Sequence, residues 1–250
     1  MPNDVCACKT SYPRLATAGI DGWLVQFNDS LDDAANRAAL AFAAAARKEK
    51  WPSVSEIAST LTSVYVRFDP LLMTHDDLRS RLAYLLDTKD WLTVDLPLGR
   101  KRFCIPCVWG GERAPQFEDA AKAAGMMPDV ARAALSQTVV RVQTLGFSPG
   151  QPYLGQLSQE WNLPRQRDLT PRVPPGALVL AIRQFVLFGI SAPTGWLHVG
   201  QTAVRLFDPT RDEPFLLRPG DEVVFPSVCQ QTLEELQSDP TGGVTCEAVS

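Results

Sequence analysis

Phe147 and Tyr153 stand in a ten-residue run, Gly146-Phe147-Ser148-Pro149-Gly150-Gln151-Pro152-Tyr153-Leu154-Gly155, with three glycines and two prolines. Proline lacks the ladder donor and glycine weakens strand interiors, so the chain must turn here. Prolines such as Pro149 restrict the backbone, so neighbouring aromatic rings are held at little entropic cost. Backbone N–H groups freed beside an aromatic wall can receive an anion or the polar edge of a ligand. The same residues also suit a tight loop whose rings cap a core. Arg165, Arg167, Arg172 and Arg183 follow. A guanidinium presents a planar fork that matches carboxylate or phosphate. Two or three converging on the aromatic loop would make an anion pocket; apart, they are solvated charges or ion pairs.

Other chemistry is sparser. Cys104-Ile105-Pro106-Cys107 is the one CxxC among six cysteines (Cys6, Cys8, Cys104, Cys107, Cys229, Cys246). It sits in an expected strand over 102–108, with no second CxxC to complete four zinc ligands. Inert thiols are therefore expected rather than a metal or redox site. The two histidines lie far apart in the sequence: His75, in a first helical turn, reads as a solvated polar residue, and His198, on an alternating strand, as structural. No phosphate-loop, dinucleotide-loop or GxSxG pattern appears. The net charge of −4 gives no basic field for a nucleic-acid backbone. No run approaches the ~18 consecutive apolar residues of a membrane span. Residues 1–10 show neither a basic nor an apolar signal region, so a cytoplasmic, reduced setting is expected.

The elements that must position these side chains change character along the chain. Residues 22–28 alternate, with Trp23, Val25 and Phe27 on one face. A helix capped from Ser30 follows to about Lys50, and then a second alternating strand over 62–68. Thr74 and Asp77 cap a helix with Leu78, Leu82 and Leu85 on one stripe. Helical segments are expected from Pro115 and from Pro128. From 138 onward, Pro and Gly punctuate short β-rich runs: 177–188, 196–199, 203–207, 215–217 and 222–225. The expected organisation is a small α+β domain (1–95), a connecting strand and helices (96–137), an all-β barrel (138–228) and a frayed tail (229–250).

The run 146–157, GFSPGQPYLGQL, resembles the GFxPGFxYLxGL signature of the allophanate hydrolase subunit 1 family. Pro164-Arg165, Arg172-Val173-Pro174, Gly195-Trp196, Gly200, Thr202 and Leu206-Phe207-Asp208 match further family positions. The run 214–225, PFLLRPGDEVVF, resembles the family's closing segment. That family includes the B subunit of bacterial ATP-dependent 5-oxoprolinase and the kinase-A-inhibitor proteins. It is also similar to part of the carboxyltransferase region of urea carboxylases. The resemblance implies an α+β N-terminal domain followed by a cyclophilin-like β-barrel. It implies phosphorylation of 5-oxo-L-proline by ATP and ring opening to L-glutamate. A subunit-2-type partner would share the ATP site, and a third hydrolase subunit could join them. Phe147, Pro149 and Tyr153 would form the wall, Arg165 and Arg172 an anion clamp, and Gln184, Trp196 and Thr202 further contacts.

The departures from the family pattern are specific. The second Phe of the signature is Gln151. The family's QTGIYP reads Gln184-Phe185-Val186-Leu187-Phe188-Gly189, and its SPGGW reads Ala192-Pro193-Thr194-Gly195-Trp196. Scaffold positions are kept while polar groups are lost. Packing needs size and turn geometry, whereas catalysis needs particular donors and acids. Two other readings follow from the same resemblance: a non-catalytic protein that inhibits a sensor histidine kinase, and a component of a urea-carboxylase-like system. No biotin-attachment Met-Lys-Met is present for the latter.

Overall fold

A computed structural model describes residues 11–249, which divide into one unit up to Pro97 and a second from Leu98. Cys6, Cys8 and the absence of a signal region within 1–10 lie outside the described residues.

The first unit is a four-stranded antiparallel sheet with two helices. Its strands are β1 (Arg14–Thr17), β2 (Gly22–Gln26), β3 (Val54–Ser59) and β4 (Ser63–Phe68), in the order β1-β2-β4-β3. Alternation buries Trp23, Val25, Val64, Val66 and Phe68 on one face. Helix α1 (Asp33–Glu49) packs there through Ala35, Ala38, Ala39, Phe42 and Ala43. Its cap is Asp32, two residues beyond the expected Ser30, because the Asp32 carboxylate accepts the Ala35 N–H at 2.7 Å. Helix α2 (His75–Asp87) carries the expected Thr74–Asp77 capping box and buries Leu78, Leu82 and Leu85. The edge strands β1 and β3 have no clear apolar alternation and were not expected; β3 exposes Ser55 and Glu56.

The second unit is built on a curled nine-stranded half-barrel sheet. In chain order its strands are β5 (Lys101–Cys104), β6 (Cys107–Trp109), β7 (Val140–Leu145) and β8 (Pro152–Gly155). A short β9 (Thr170–Val173) lies outside this sheet, and β10 (Ala177–Ala181) and β11 (Gln184–Leu187) return to it. The chain continues with β12 (Ala192–Thr194), β13 (Leu197–Thr202), β14 (Glu222–Val224) and β15 (Thr245–Ala248). The order is β15-β5-β14-β7-β8-β11-β10-β13-β6, and β9 pairs with β12 as a separate ribbon. The expected single strand over 102–108 is broken at Ile105-Pro106, where proline supplies no ladder donor. One half of that segment pairs with β14 and the other with β13, which curls the sheet. Helices α3 (Phe117–Ala123) and α4 (Pro128–Gln137) add Phe117, Ala120, Ala121, Ala131 and Leu135 to the interior. Phe185 lies at its centre, its ring 5.9 Å from Trp109 and 6.0 Å from Phe225.

Several expectations change. The run 177–188 is a hairpin whose two turn residues, Ile182 and Arg183, both have positive φ. The runs 203–207 and 215–217 are loop joined by one isolated bridge, Phe207 with Phe215. The expected frayed tail is structured: α5 (Gln230–Leu236) buries Leu233, and β15 pairs with β5. Asp239 holds the turn between them by accepting from Thr241 and Gly243.

Candidate functional site

The outer face of β8, β10 and β11 carries a second apolar cluster, separate from the sheet's interior. Val179, Val186, Phe188 and Trp196 form it with Val173 of the β9–β12 ribbon, and Tyr153 packs against it. Beside it opens a cavity of about 320 Å³. Its aromatic wall is Phe147, Tyr153, Phe188 and Trp196. Tyr153 meets Trp196 edge-on at 6.4 Å, and Phe147 lies 6.2 Å from Phe188. Leu169, Val186 and Pro193 complete the apolar lining, and Gln151, Gln166, Thr194 and Arg165 supply polar groups.

The Gly/Pro loop between β7 and β8 sets the wall. Ser148 N–H donates to Gly146 O at 3.0 Å across Phe147, whose φ is +74°. This is a γ-turn, a conformation in which a bulky residue is strained. It presents the Phe147 ring at the cavity rim, 70% exposed. Gly146 N–H donates to Gln151 O, and Gln151 N–H to Ser148 O, closing the loop. Gly150 is at φ +73°, and a Cβ there would come within 2.9 Å of Leu206 O, so only glycine fits.

Arg165 is the one charged residue among those lining the cavity, its guanidinium carbon 5.3 Å from the centre of the Trp196 ring. Such stacking orients a cation without neutralising it. The segment carrying Arg165 is braced from behind. Gln166 N–H donates to Gly195 O at 2.7 Å and Gln166 Nε2 to Trp196 O at 2.9 Å. Gln116 Nε2 donates to Gln166 Oε1, while Gln116 Oε1 accepts from His198 N–H.

Of the residues singled out from sequence, the cavity gathers Phe147, Tyr153, Arg165 and Trp196. Pro149 is exposed at the loop tip. Arg172 is exposed on β9 and donates to Ser191 Oγ at 2.7 Å. Strand alternation explains its absence from the lining, because its neighbour Val173 takes the buried side. Arg183 donates to Leu157 O in the hairpin turn. Gln184 is buried and donates to Gln143 Oε1, and Thr202 donates to Gly176 O; both are held within the sheet. Gln166, Leu169, Val186, Phe188 and Thr194 were not anticipated. Val186 and Phe188 share one strand face, but the flanking run is apolar on both faces, so periodicity gives no sign of which face meets the cavity.

His198 is a buried residue of β13, and its Nε2 has no hydrogen-bond partner among the described residues. Burial pushes its pKa below the ordinary histidine value. The fold therefore favours neutral imidazole. Below about pH 6.5 the unfolded chain takes up a proton that the folded chain resists. Stability is then lost as pH falls through that value, by up to about 1.4 kcal/mol per unit, and is untouched above it. His198→Gln is expected to show a smaller loss of stability than the parent between pH 7.5 and 5.5 in urea melts. Equal losses would show that His198 protonates as readily folded as unfolded.

Cys107 is buried, and burial pushes its thiol upward, away from the reactive thiolate. Among the described residues no three His, Cys, Asp or Glu side chains converge as a metal site requires, and no helix is long and apolar enough to cross a membrane.

The cavity has the features of a binding site. Its lining combines an aromatic wall, one guanidinium and amide groups, with no carboxylate, imidazole or thiol. The chain is similar to the B subunit of 5-oxoprolinase from Bacillus subtilis, 28% identical over 232 residues, covering 87% of this chain and 94% of the relative. It is 39% identical over 121 residues to the B subunit of 5-oxoprolinase from Escherichia coli, covering 48% of this chain and 56% of that protein. The crystal structure of TTHA0988 superposes with a TM-score of 0.70 at 30% identity, over 83% of this chain and 40% of that one. This chain thus spans well under half the length of that structure. The Kluyveromyces lactis urea amidolyase shares the fold, with a TM-score of 0.74 at 17% identity, over 94% of this chain and 16% of that one. The model of the carboxyltransferase domain, subdomain C and D, matches residues 13–217, and the chain belongs to that family.

Proposed function

We propose that this chain is the ligand-binding subunit of an ATP-dependent amide or lactam hydrolase, with 5-oxo-L-proline as its substrate. The observation that carries the reading is the similarity to the B subunit of Bacillus subtilis 5-oxoprolinase along nearly the whole of both chains. In this proposal the half-barrel is of the cyclophilin-like kind and a homologous subunit-2-type protein completes the active site. A third hydrolase subunit joins the complex, which works in the cytoplasm. Phe147, Tyr153 and Trp196 hold the flat lactam ring, and Arg165 faces its carboxylate. The cavity does not fit a triphosphate: one guanidinium lines it, and no carboxylate is there to hold a divalent cation. The nucleotide accordingly belongs to the partner's share of the site. The contribution of this chain is to bind and orient the lactam, which places its amide oxygen for phosphorylation and its ring for opening to L-glutamate.

The test is phosphate release with 5-oxo-L-proline and ATP. The isolated chain is expected to be inactive and the complex with a subunit-2-type partner active. Robust turnover by the isolated chain would contradict the shared site, and an inactive complete complex would contradict the substrate.

A further inference from the structure

Gln151 is a polar residue in an otherwise aromatic and apolar part of the cavity. It is only 2% exposed, yet it lines the cavity. A buried amide is costly unless its groups are bonded. Three of its four polar groups are used within the loop. Its N–H donates to Ser148 O at 3.1 Å, and its carbonyl accepts from Gly146 N–H at 3.0 Å. Its side-chain Oε1 accepts from Ser148 Oγ at 3.1 Å. In that bond the hydroxyl donates and the amide oxygen accepts, so the oxygen end faces the loop. With the oxygen end tied back to the loop, the Nε2 donor is the group left for the cavity.

We propose that Gln151, oriented by Ser148, is a specificity-determining residue that reads a carbonyl oxygen of the bound ligand. The inference deepens the reading of this cavity as the lactam site, and rests on it. The chemistry selects a compact ligand with two distinct acceptor ends. A planar amide carbonyl meets Gln151, and an anionic group meets Arg165. A ring of the same size without the carbonyl leaves a buried N–H donor unbonded, and discrimination arises from that penalty.

Three probes separate the two ends: 5-oxo-L-proline, 2-pyrrolidinone with the carbonyl alone, and cyclopentanecarboxylate with the carboxylate alone. Binding to the full chain is followed through the side-chain amide signal of Gln151 in nitrogen-15 spectra, assigned by its loss in Gln151→Leu. Both lactams are expected to shift this signal, and cyclopentanecarboxylate to leave it in place. Gln151→Leu keeps the side-chain volume and is expected to lower affinity for both lactams about tenfold. Affinity for cyclopentanecarboxylate should not fall and is expected to rise, because the substitution removes the donor that this ring leaves unbonded. Ser148→Ala frees the amide to rotate and should give an intermediate loss. Lactam affinity unchanged in Gln151→Leu, or a Gln151 signal that neither lactam moves, overturns the inference. If the complete complex turns over 5-oxo-L-proline with the same KM in Gln151→Leu, the assignment of Gln151 fails while the proposed function stands. If both lactams bind through Gln151 but the complex releases no phosphate, the proposed function fails and the assignment stands.

Discussion

Arg165→Ala is expected to lower kcat/KM for 5-oxo-L-proline in the assembled complex about tenfold or more. Removing a charge-assisted contact costs roughly 1.5–3 kcal/mol, and each 1.4 kcal/mol is about a factor of ten. Folding should hardly register the change. Arg165 is exposed, and an exposed guanidinium stacked on an indole contributes about 0.5–1 kcal/mol. Arg172→Ala is the matched control, because its guanidinium bonds Ser191 outside the cavity lining. Its kcat/KM should stay within about twofold. Steady-state kinetics and melting temperatures of both variants decide the matter. A silent Arg165→Ala beside a damaged Arg172→Ala would move the anion site to the far side of the β9–β12 ribbon.

Phe185→Ala is expected to destabilise the fold by about 3–5 kcal/mol, a large part of a typical domain's 5–15 kcal/mol. Phe185 is fully buried, and its ring is shared between Trp109 and Phe225. Its removal leaves a cavity where strands from opposite parts of the curled sheet meet. Phe215 is 45% exposed and packs on Phe207 in a surface loop. Phe215→Ala should cost only about 1–1.5 kcal/mol, roughly half of what full burial of a Phe side chain contributes. Urea midpoints of the two variants are the measurement. Similar midpoints would show that Phe185 is not the centre of the core.

Where local chemistry suffices, sequence and structure coincide. Trp23, Val25 and Phe27 alternate inward because a strand places successive side chains on opposite faces. Thr74 and Asp77 start α2 because their side chains reach orphan N–H groups within one turn. The Gly/Pro loop at 146–151 turns as its composition demands, and Gly150 sits where a Cβ would meet Leu206 O. The family was legible too, since its closing run is kept almost residue for residue.

The turn at Ile182-Arg183 shows the limit of such rules. A two-residue hairpin turn with two positive φ values calls for Asn-Gly or similar residues. Here a β-branched residue and an arginine adopt it. Ile182 N–H donates to Leu163 O, Arg183 N–H to Trp161 O, and the Arg183 guanidinium to Leu157 O. These bonds come from residues about twenty positions away, which no local window contains. The same holds for 229–249, where Asp239 closes a turn that lays β15 onto β5, more than 140 residues earlier in the chain.

The candidate site divides along the same line. Sequence by itself determined that an aromatic loop exists, that arginines follow it, and that a chemistry-poor scaffold carries them. Which arginine meets the aromatic wall was a tertiary decision. Arg165 reaches Trp196 because Gln116 and Gln166 brace its segment, Arg172 turns outward because Val173 is buried, and Arg183 is held in a hairpin turn. The fork chemistry is identical in all three. Only the packing of strands distant in sequence sets which face each side chain takes, and that packing has no local signature.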